Sequence, residues 1–275
     1  MQFSAVPRRR MARSAAILLG VLLAMSVAAR LAGEQAGSAT KSSVDGAADP
    51  FEGPISFEPN QGQVDQPVQF IARGPGYTLC LTHEAALLSF ETWASPAGAG
   101  TQSFAVKLVG ANSSPALVPR NELPTKSSYF FGSDPKNWRT GIPNFARVQF
   151  RDVYPGIDIS YHGTHGRLEY DFVIASGAMP SQIAMALSGA GNPLLDAQGN
   201  LLLRTGQIEI RFQKPTAYQN LEGVRRPVSA RYVVRGKQIK FVVGTYDPSK
   251  PLVINPVLSY AVHPKARNAS VVPSR

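Results

Sequence analysis

Two short segments decide the fold class: Gly156-Ile157-Asp158-Ile159-Ser160-Tyr161 and, soon after, Leu168-Glu169-Tyr170-Asp171-Phe172. In each segment apolar and polar residues alternate one by one, which is the period of a β-strand with one face on a core. The polar, glycine-containing stretch 162–167 between them is typical of a loop, so the pair predicts a β-hairpin. The predicted core-facing side chains are Ile157, Ile159 and Tyr161 on one strand and Leu168, Tyr170 and Phe172 on the other.

The same alternation recurs on both sides of this hairpin, roughly every 8–12 residues. Residues 228–234 and 239–243 flank Arg235-Gly236-Lys237 as a second hairpin, and residues 68–73 and 77–81 flank a third turn. With 24 Gly and 22 Pro among 275 residues, tight turns are abundant, and 44% hydrophobic residues suffice for a core. The sequence therefore predicts an all-β protein of antiparallel β-sandwich type, as one large domain or two closely packed ones.

The N-terminal segment predicts export. Four arginines within residues 8–13 precede the apolar stretch 15–25, and small residues follow at 26–29, which is the pattern of a signal peptide over residues 1–29. An uncleaved anchor is the alternative. We expect a flexible leader at 30–53, a β module at 54–260 and a polar tail at 261–275. A Pro/Ser/Asn-rich segment at 110–128 predicts a longer crossing between sheets and a possible sub-boundary.

This pattern predicts a secreted, cell-surface or periplasmic protein without a membrane span after signal removal. The formal net charge is +10, but the signal segment carries four of the 28 basic residues and no acidic one. The remaining excess is spread along the chain, which favours a mildly basic surface over a nucleic-acid partner. An anionic polymer is the other alternative.

Cys80 is the single cysteine, so no intrachain disulfide can form, and we expect a buried, inert thiol.

The polar face of the hairpin carries three carboxylates, Asp158, Glu169 and Asp171. If Tyr161 pairs with Leu168, Asp158 lies opposite Asp171, and two facing carboxylates repel unless something compensates. Arg151 and Arg167 could neutralise them, or Ca²⁺ could bridge them as a weakly indicated metal. They could also act as the acid and base of a glycosidase, or simply face solvent.

Histidines and aromatic residues give weaker candidates. His162 and His165 are spaced as His-x-x-His, but two histidines alone indicate a solvated loop more than a metal site. The aromatic residues between 129 and 150 form either core or a stacking platform for sugars. We take Trp138, Tyr154 and Tyr161 as candidate ligand-binding residues. No nucleophile elbow, phosphate loop, zinc motif or dinucleotide fingerprint occurs in the sequence.

Several blocks of the sequence match a known family in order. They are Phe57-Glu58-Pro59-Asn60-Gln61-Gly62-Gln63, 70–77, Asn137-Trp138-Arg139-Thr140-Gly141-Ile142-Pro143-Asn144, 153–158, 168–172 and 251–260. Together they resemble the N-terminal domain of unknown function in bacterial secreted proteins with seven-bladed β-propeller (SBBP) repeats. In such relatives the last block runs on into a propeller repeat, whereas here Tyr260 is followed by Ala261-Val262-His263.

The resemblance implies a surface or extracellular module that normally precedes a β-propeller. We therefore predict a non-enzymatic interaction or structural domain without a resident cofactor. Its expected partners are a glycan, the extracellular matrix or a propeller domain. The alternative is a polysaccharide hydrolase or a Ca²⁺-dependent glycan-binding domain that uses the acidic hairpin at 156–172. In that case Asp158, Glu169 and Asp171 would be the catalytic or metal-ligating residues.

Overall fold

A computed structural model describes residues 55–74, 76–92, 100–164, 167–206 and 208–262. The predicted signal peptide at 1–29, the leader at 30–53, His165 and nearly all of the predicted tail lie outside these residues. Within them the chain forms nineteen strands and two short 3-10 helices, at Pro135–Asn137 and Pro180–Gln182. The predicted all-β, antiparallel architecture is confirmed.

The strands follow one another along the chain with short connections. They are β1 (Phe57–Pro59), β2 (Phe70–Gly74), β3 (Tyr77–Leu81), β4 (Ala85–Thr92), β5 (Gly100–Leu108), β6 (Ala116–Tyr129), β7 (Arg139–Tyr154), β8 (Ile157–Thr164), β9 (Arg167–Ile174), β10 (Ala184–Ser188), β11 (Leu194–Leu195), β12 (Leu201–Thr205), β13 (Ile208–Phe212), β14 (Thr216–Leu221), β15 (Val224–Val228), β16 (Ala230–Arg235), β17 (Gln238–Val243), β18 (Leu252–Asn255) and β19 (Leu258–Val262).

Most of the described strands belong to one large sheet with the order β15-β14-β18-β9-β8-β7-β1-β2-β3-β4-β5-β10-β17-β16, and β6 pairs with β7 outside this path. The two strands at the ends of that order, β15 and β16, are separated in sequence by Ser229 alone. The chain therefore brings the two edges of the sheet together, and the sheet is nearly closed into a barrel. Closure of this kind shields edge strands from pairing with other chains.

A smaller sheet of β11, β12, β13 and β19 packs against the large one. Phe212 of β13 makes edge-to-face contacts with Phe104 of β5 and Tyr170 of β9, each at 6.4 Å between ring centroids. A single hydrophobic cluster includes side chains from Ile55 to Leu258. The core is therefore shared between the two sheets, and burial of alternate residues holds most of the strands in register.

The segment 110–128, which the sequence predicts as a crossing between sheets, lies largely in the long strand β6. This part of the prediction is wrong, for a physical reason. No residue of β6 is buried, because β6 pairs with β7 alone and contributes to the core only through the partly buried Leu117. A strand that covers so little of the core has no apolar period, so its sequence is indistinguishable from that of a polar loop.

Candidate functional site

The hairpin of β8 and β9 carries the candidate site on its outer face. Ile157, Ile159 and Phe172 are at most 2% exposed, and the other three apolar side chains are also buried, so the predicted core face is confirmed. Asp158, Glu169 and Asp171 lie on the opposite face. The register differs from the one considered for the sequence, because Tyr161 pairs with Tyr170 and not with Leu168.

The shifted register separates two of the carboxylates. Asp171 lies opposite Ser160, and Asp158 lies opposite Val173. The hairpin strands continue as far as Thr164 and Arg167, through residues that the sequence assigns to a loop. His162 is consequently a strand residue with a side chain only 13% exposed, and the expectation of a solvated loop histidine is wrong.

Asp171 is the centre of a polar cluster. Its Oδ1 atom accepts a hydrogen bond of 2.6 Å from Asn255 Nδ2 on β18, and its Oδ2 atom lies 3.0 Å from His162 Nε2. Arg147 of β7 contributes a longer contact of 3.5 Å to Oδ2 and a 3.1 Å hydrogen bond to the Ser160 hydroxyl. The expected partners Arg151 and Arg167 do not bind this carboxylate, since Arg147, His162 and Asn255 do so instead.

These partners set the charge state of Asp171. Burial alone raises the pKa of this carboxyl, but the hydrogen bonds from His162 and Asn255 and the positive charge of Arg147 outweigh it. The net effect is a pKa below the usual value for aspartate. Asp171 is therefore a stable anion at neutral pH and is not poised to donate a proton.

Asp158 belongs to a different contact network. Its carboxylate accepts hydrogen bonds from Gln149 Nε2 and from the backbone N–H of Asp152, both at 2.8 Å. Glu169, in contrast, lies beside Asp171, and its Oε2 atom is 3.5 Å from the Asn255 amide nitrogen that also binds Asp171. One amide thus contacts both carboxylates and occupies the space between them.

An open groove of about 500 Å³ runs over this cluster. Residues of β7, β8, β9 and β18 form the floor of the groove, and the β14–β15 hairpin forms one wall. The lining residues are Arg147, His162, Glu169, Asp171, Thr216, Ala217, Tyr218, Arg225, Pro227 and Asn255. On the β14–β15 wall the guanidinium of Arg225 lies 3.9 Å above the centroid of the Tyr218 ring, which is a cation–π contact.

None of the three predicted ligand-binding aromatic residues lines this groove. Trp138 is 37% exposed, packs edge-to-face on Phe130 and donates from Nε1 to the carbonyl of Gly132. Tyr154 and Tyr161 are buried in the core, and Tyr154 donates its hydroxyl hydrogen to backbone carbonyls. Neither buried ring is accessible for stacking on a sugar.

Three other features bear on function: possible metal ligands, the Cys80 thiol and membrane-spanning helices. Within the described ranges, no group of three or more His, Cys, Asp or Glu side chains is arranged to hold a metal ion. Burial raises the pKa of the Cys80 thiol to about 11, against a smaller lowering by Arg73, which makes the thiol a poor nucleophile at neutral pH. Also within those ranges, no helix combines the length and apolar character that crossing a membrane requires.

Seven residues of the groove were missed in the sequence: Arg147, Thr216, Ala217, Tyr218, Arg225, Pro227 and Asn255. Asn255 precedes Pro256 in the block at 251–260, and Arg225 follows a Glu222-Gly223 turn, but neither position has a local signature of binding. Their role depends on which strands become neighbours in the sheet, and residue spacing does not report that.

The fold and the groove define an all-β domain with a polar groove on the outside of a curled antiparallel sheet. A family model described as "Domain of unknown function (DUF7948)" matches residues 57–257, and the chain belongs to this family. The expected resemblance to a domain of unknown function is thereby confirmed, whereas its association with propeller repeats stays a prediction. Comparison with curated proteins gives no match, and comparison with solved structures gives none either.

Proposed function

We propose that this chain is an exported, non-catalytic β module that binds an extracellular glycan in the groove between the β8–β9 and β14–β15 hairpins. In longer relatives the module would precede a β-propeller of SBBP repeats. The observation that carries the proposal is the open groove of about 500 Å³ lined by arginine, asparagine, histidine and carboxylate side chains. Export is supported by the arginine-rich and apolar N-terminal pattern.

The chemistry of the lining side chains suits a sugar. Arg225 supplies N–H donors, Glu169 and the side-chain carbonyl of Asn255 supply acceptor oxygens, and hydroxyl groups can bond to both kinds. The residues stand on strands of one sheet, so their spacing is fixed before a ligand arrives, which lowers the entropic cost of binding.

The contacts of the carboxylates favour binding over hydrolysis. A glycosidase needs one protonated carboxyl and space for the scissile bond between two carboxyl groups. Asp171 has a lowered pKa, and the Asn255 amide occupies the gap between Asp171 and Glu169. The third predicted carboxylate, Asp158, is held by Gln149 and the Asp152 backbone.

The test is calorimetric titration of the full chain with bacterial and plant oligosaccharides, followed by the same titration of Thr216→Trp. Thr216 is exposed and lines the groove, so an indole there would fill the site without disturbing the core. Thr101→Trp is the matched control, because Thr101 is also an exposed threonine of a strand, β5, but does not line the groove. We expect binding that Thr216→Trp weakens at least about tenfold and Thr101→Trp leaves unchanged. Absence of glycan binding, or equal effects of the two variants, would refute the proposal.

A polysaccharide hydrolase is the second candidate, because Glu169 and Asp171 line the same groove. Incubation of the chain with the bound polysaccharide and measurement of new reducing ends distinguishes the two functions. Hydrolysis that Glu169→Gln abolishes would replace the binding proposal by an enzymatic one. We expect no release of reducing ends.

A further inference from the structure

The two arginines of the groove differ in their contacts. Arg147 is engaged, with contacts to Asp171 and the Ser160 hydroxyl. Arg225 lies over the ring of Tyr218, and among the residues that the structure describes none accepts a hydrogen bond or forms an ion pair with its guanidinium. Arg225 is thus a cation that is held over an aromatic ring and has no anionic partner among the described residues.

Stacking on an aromatic ring orients a guanidinium without using its hydrogen-bonding groups. Attraction to the ring face holds the plane of the group, while the N–H donors at its edge stay free. A planar fork of donors matches the two oxygens of a carboxylate, or two oxygens of a sulfate, better than a single hydroxyl. The free edge of Arg225 is therefore complementary to an anionic group on a ligand.

The other side of the groove has the opposite character. Glu169 lies there beside Asp171, whose charge is already compensated by Arg147, His162 and Asn255. Within the described part of the chain, the Glu169 carboxylate has one weak contact, 3.5 Å from the Asn255 amide nitrogen, so it can accept hydrogen bonds from hydroxyl groups. A ligand that fits both sides carries hydroxyls at one edge and an anionic group at the other.

We propose, on the basis of the proposed glycan-binding function, that the ligand is an acidic glycan whose anionic group binds Arg225. A uronic-acid polymer has the required arrangement, with ring hydroxyls to meet Glu169 and Asn255 and a carboxylate to meet Arg225. Repulsion by Glu169 disfavours the reverse orientation, which makes the direction of the sugar ring in the groove specific.

Non-specific attraction is the competing explanation, because the whole chain is basic, with a formal net charge of +10. The chain offers a matched control in Arg226, the next residue of β15. Both arginines are exposed, but Arg225 pairs with Asn220 whereas Arg226 pairs with the buried Gln219 on the opposite face of the strand. Removal of either charge lowers non-specific attraction equally, and only Arg225 lines the groove.

The experiment is calorimetric titration of the full chain and of Arg225→Gln, Arg225→Lys and Arg226→Gln at physiological salt. The probes are oligogalacturonate and alginate oligosaccharides as carboxylated sugars, dextran sulfate as a sulfated one, neutral dextran, and poly-glutamate as an acidic peptide. We expect Arg225→Gln to weaken binding of the anionic sugar by roughly 10- to 100-fold, and Arg226→Gln by less than about threefold. Arg225→Lys keeps the charge but not the fork, and should recover only part of the affinity.

The outcomes separate the two proposals. The class of sugar, carboxylated or sulfated, whose affinity falls in Arg225→Gln identifies the anionic group that Arg225 binds. One possible result is that neutral dextran binds as tightly as the anionic sugars, that Arg225→Gln has no effect and that Thr216→Trp still abolishes binding. In that case the groove binds glycans, but the proposal of an acidic glycan is wrong. If poly-glutamate binds and the sugars do not, both proposals are wrong. Equal losses of affinity for Arg225→Gln and Arg226→Gln would show that binding depends on non-specific electrostatic attraction, and the proposal of an acidic glycan would be wrong. An unchanged melting temperature of each variant establishes that the fold is intact.

Discussion

Replacement of Asp171 by asparagine removes one negative charge from the floor of the groove and keeps the size of the side chain. The Asp171 side chain is 11% exposed and accepts from Asn255 at 2.6 Å and from His162 at 3.0 Å. An asparagine can keep neutral forms of these two hydrogen bonds, each weaker by about 0.5–1.5 kcal/mol than its charged form. Arg147 is 37% exposed and 3.5 Å away, so solvent screening leaves its contribution below about 0.5 kcal/mol.

These contributions together give an expected loss of about 1–3.5 kcal/mol in the free energy of unfolding at pH 7. The loss should depend on pH, because the pKa of Asp171 is lower in the folded protein than its usual value of about 3.9. A group with a depressed folded pKa stabilises the protein above its unfolded pKa, and this stabilisation is lost as the pH falls through the folded pKa. The difference between wild type and Asp171→Asn should therefore be complete at pH 7 and shrink below about pH 4.

The assay is urea unfolding of both proteins at pH 7 and at pH 3, monitored by tryptophan fluorescence. Glu122→Gln is the control, since Glu122 forms an exposed ion pair with Lys126 and its replacement should cost about 0.5 kcal/mol or less at pH 7. An equal loss for Asp171→Asn at both pH values would show that the side chain acts through packing and not through its charge. No loss at pH 7 would show that burial of the carboxylate cancels its hydrogen bonds, and the reasoning on the cluster would be wrong.

The strand pattern of this chain was largely readable from its sequence. Ile157, Ile159 and Phe172 alternate with polar neighbours, and burial of every second side chain is a local property that residue order encodes directly. The sequence does not determine in the same local way which strands pair with one another. β18 lies beside β9 although Asn255 and Asp171 are 84 residues apart in sequence, and any strand of suitable pattern could occupy that position.

The candidate site shows the same division. The alternation of apolar and polar residues predicts Asp158, Glu169 and Asp171 on one face, and the structure confirms it. The predicted partners Arg151 and Arg167 are close to these carboxylates in sequence, whereas the observed partners Arg147 and Asn255 reach Asp171 through strand pairing. The register also shifted by two residues relative to the one considered, since the strands continue through a segment that contains Gly163 and polar side chains. Polar residues on an outer strand face carry no signal that distinguishes them from a loop.

Two further predictions concern positions outside the groove. Cys80 is partly buried, and this burial raises the pKa of its thiol to about 11. It should therefore react with a thiol reagent at pH 8 roughly 100-fold more slowly in the native chain than in urea, and equal rates, measured by absorbance, would contradict the raised pKa. Gly189→Ala should destabilise the fold more than Gly110→Ala. Both glycines have positive φ, at 79° and 72°, so each alanine costs about 1–2 kcal/mol of backbone strain. A Cβ at Gly189 would also lie 2.5 Å from the carbonyl oxygen of Ser103 on the neighbouring strand β5, whereas one at Gly110 meets nothing within 4 Å. Because that backbone oxygen belongs to a paired strand and cannot move aside without breaking the sheet, we expect about 1–3 kcal/mol of additional loss in urea unfolding, and equal losses for the two variants would contradict the close approach of these strands.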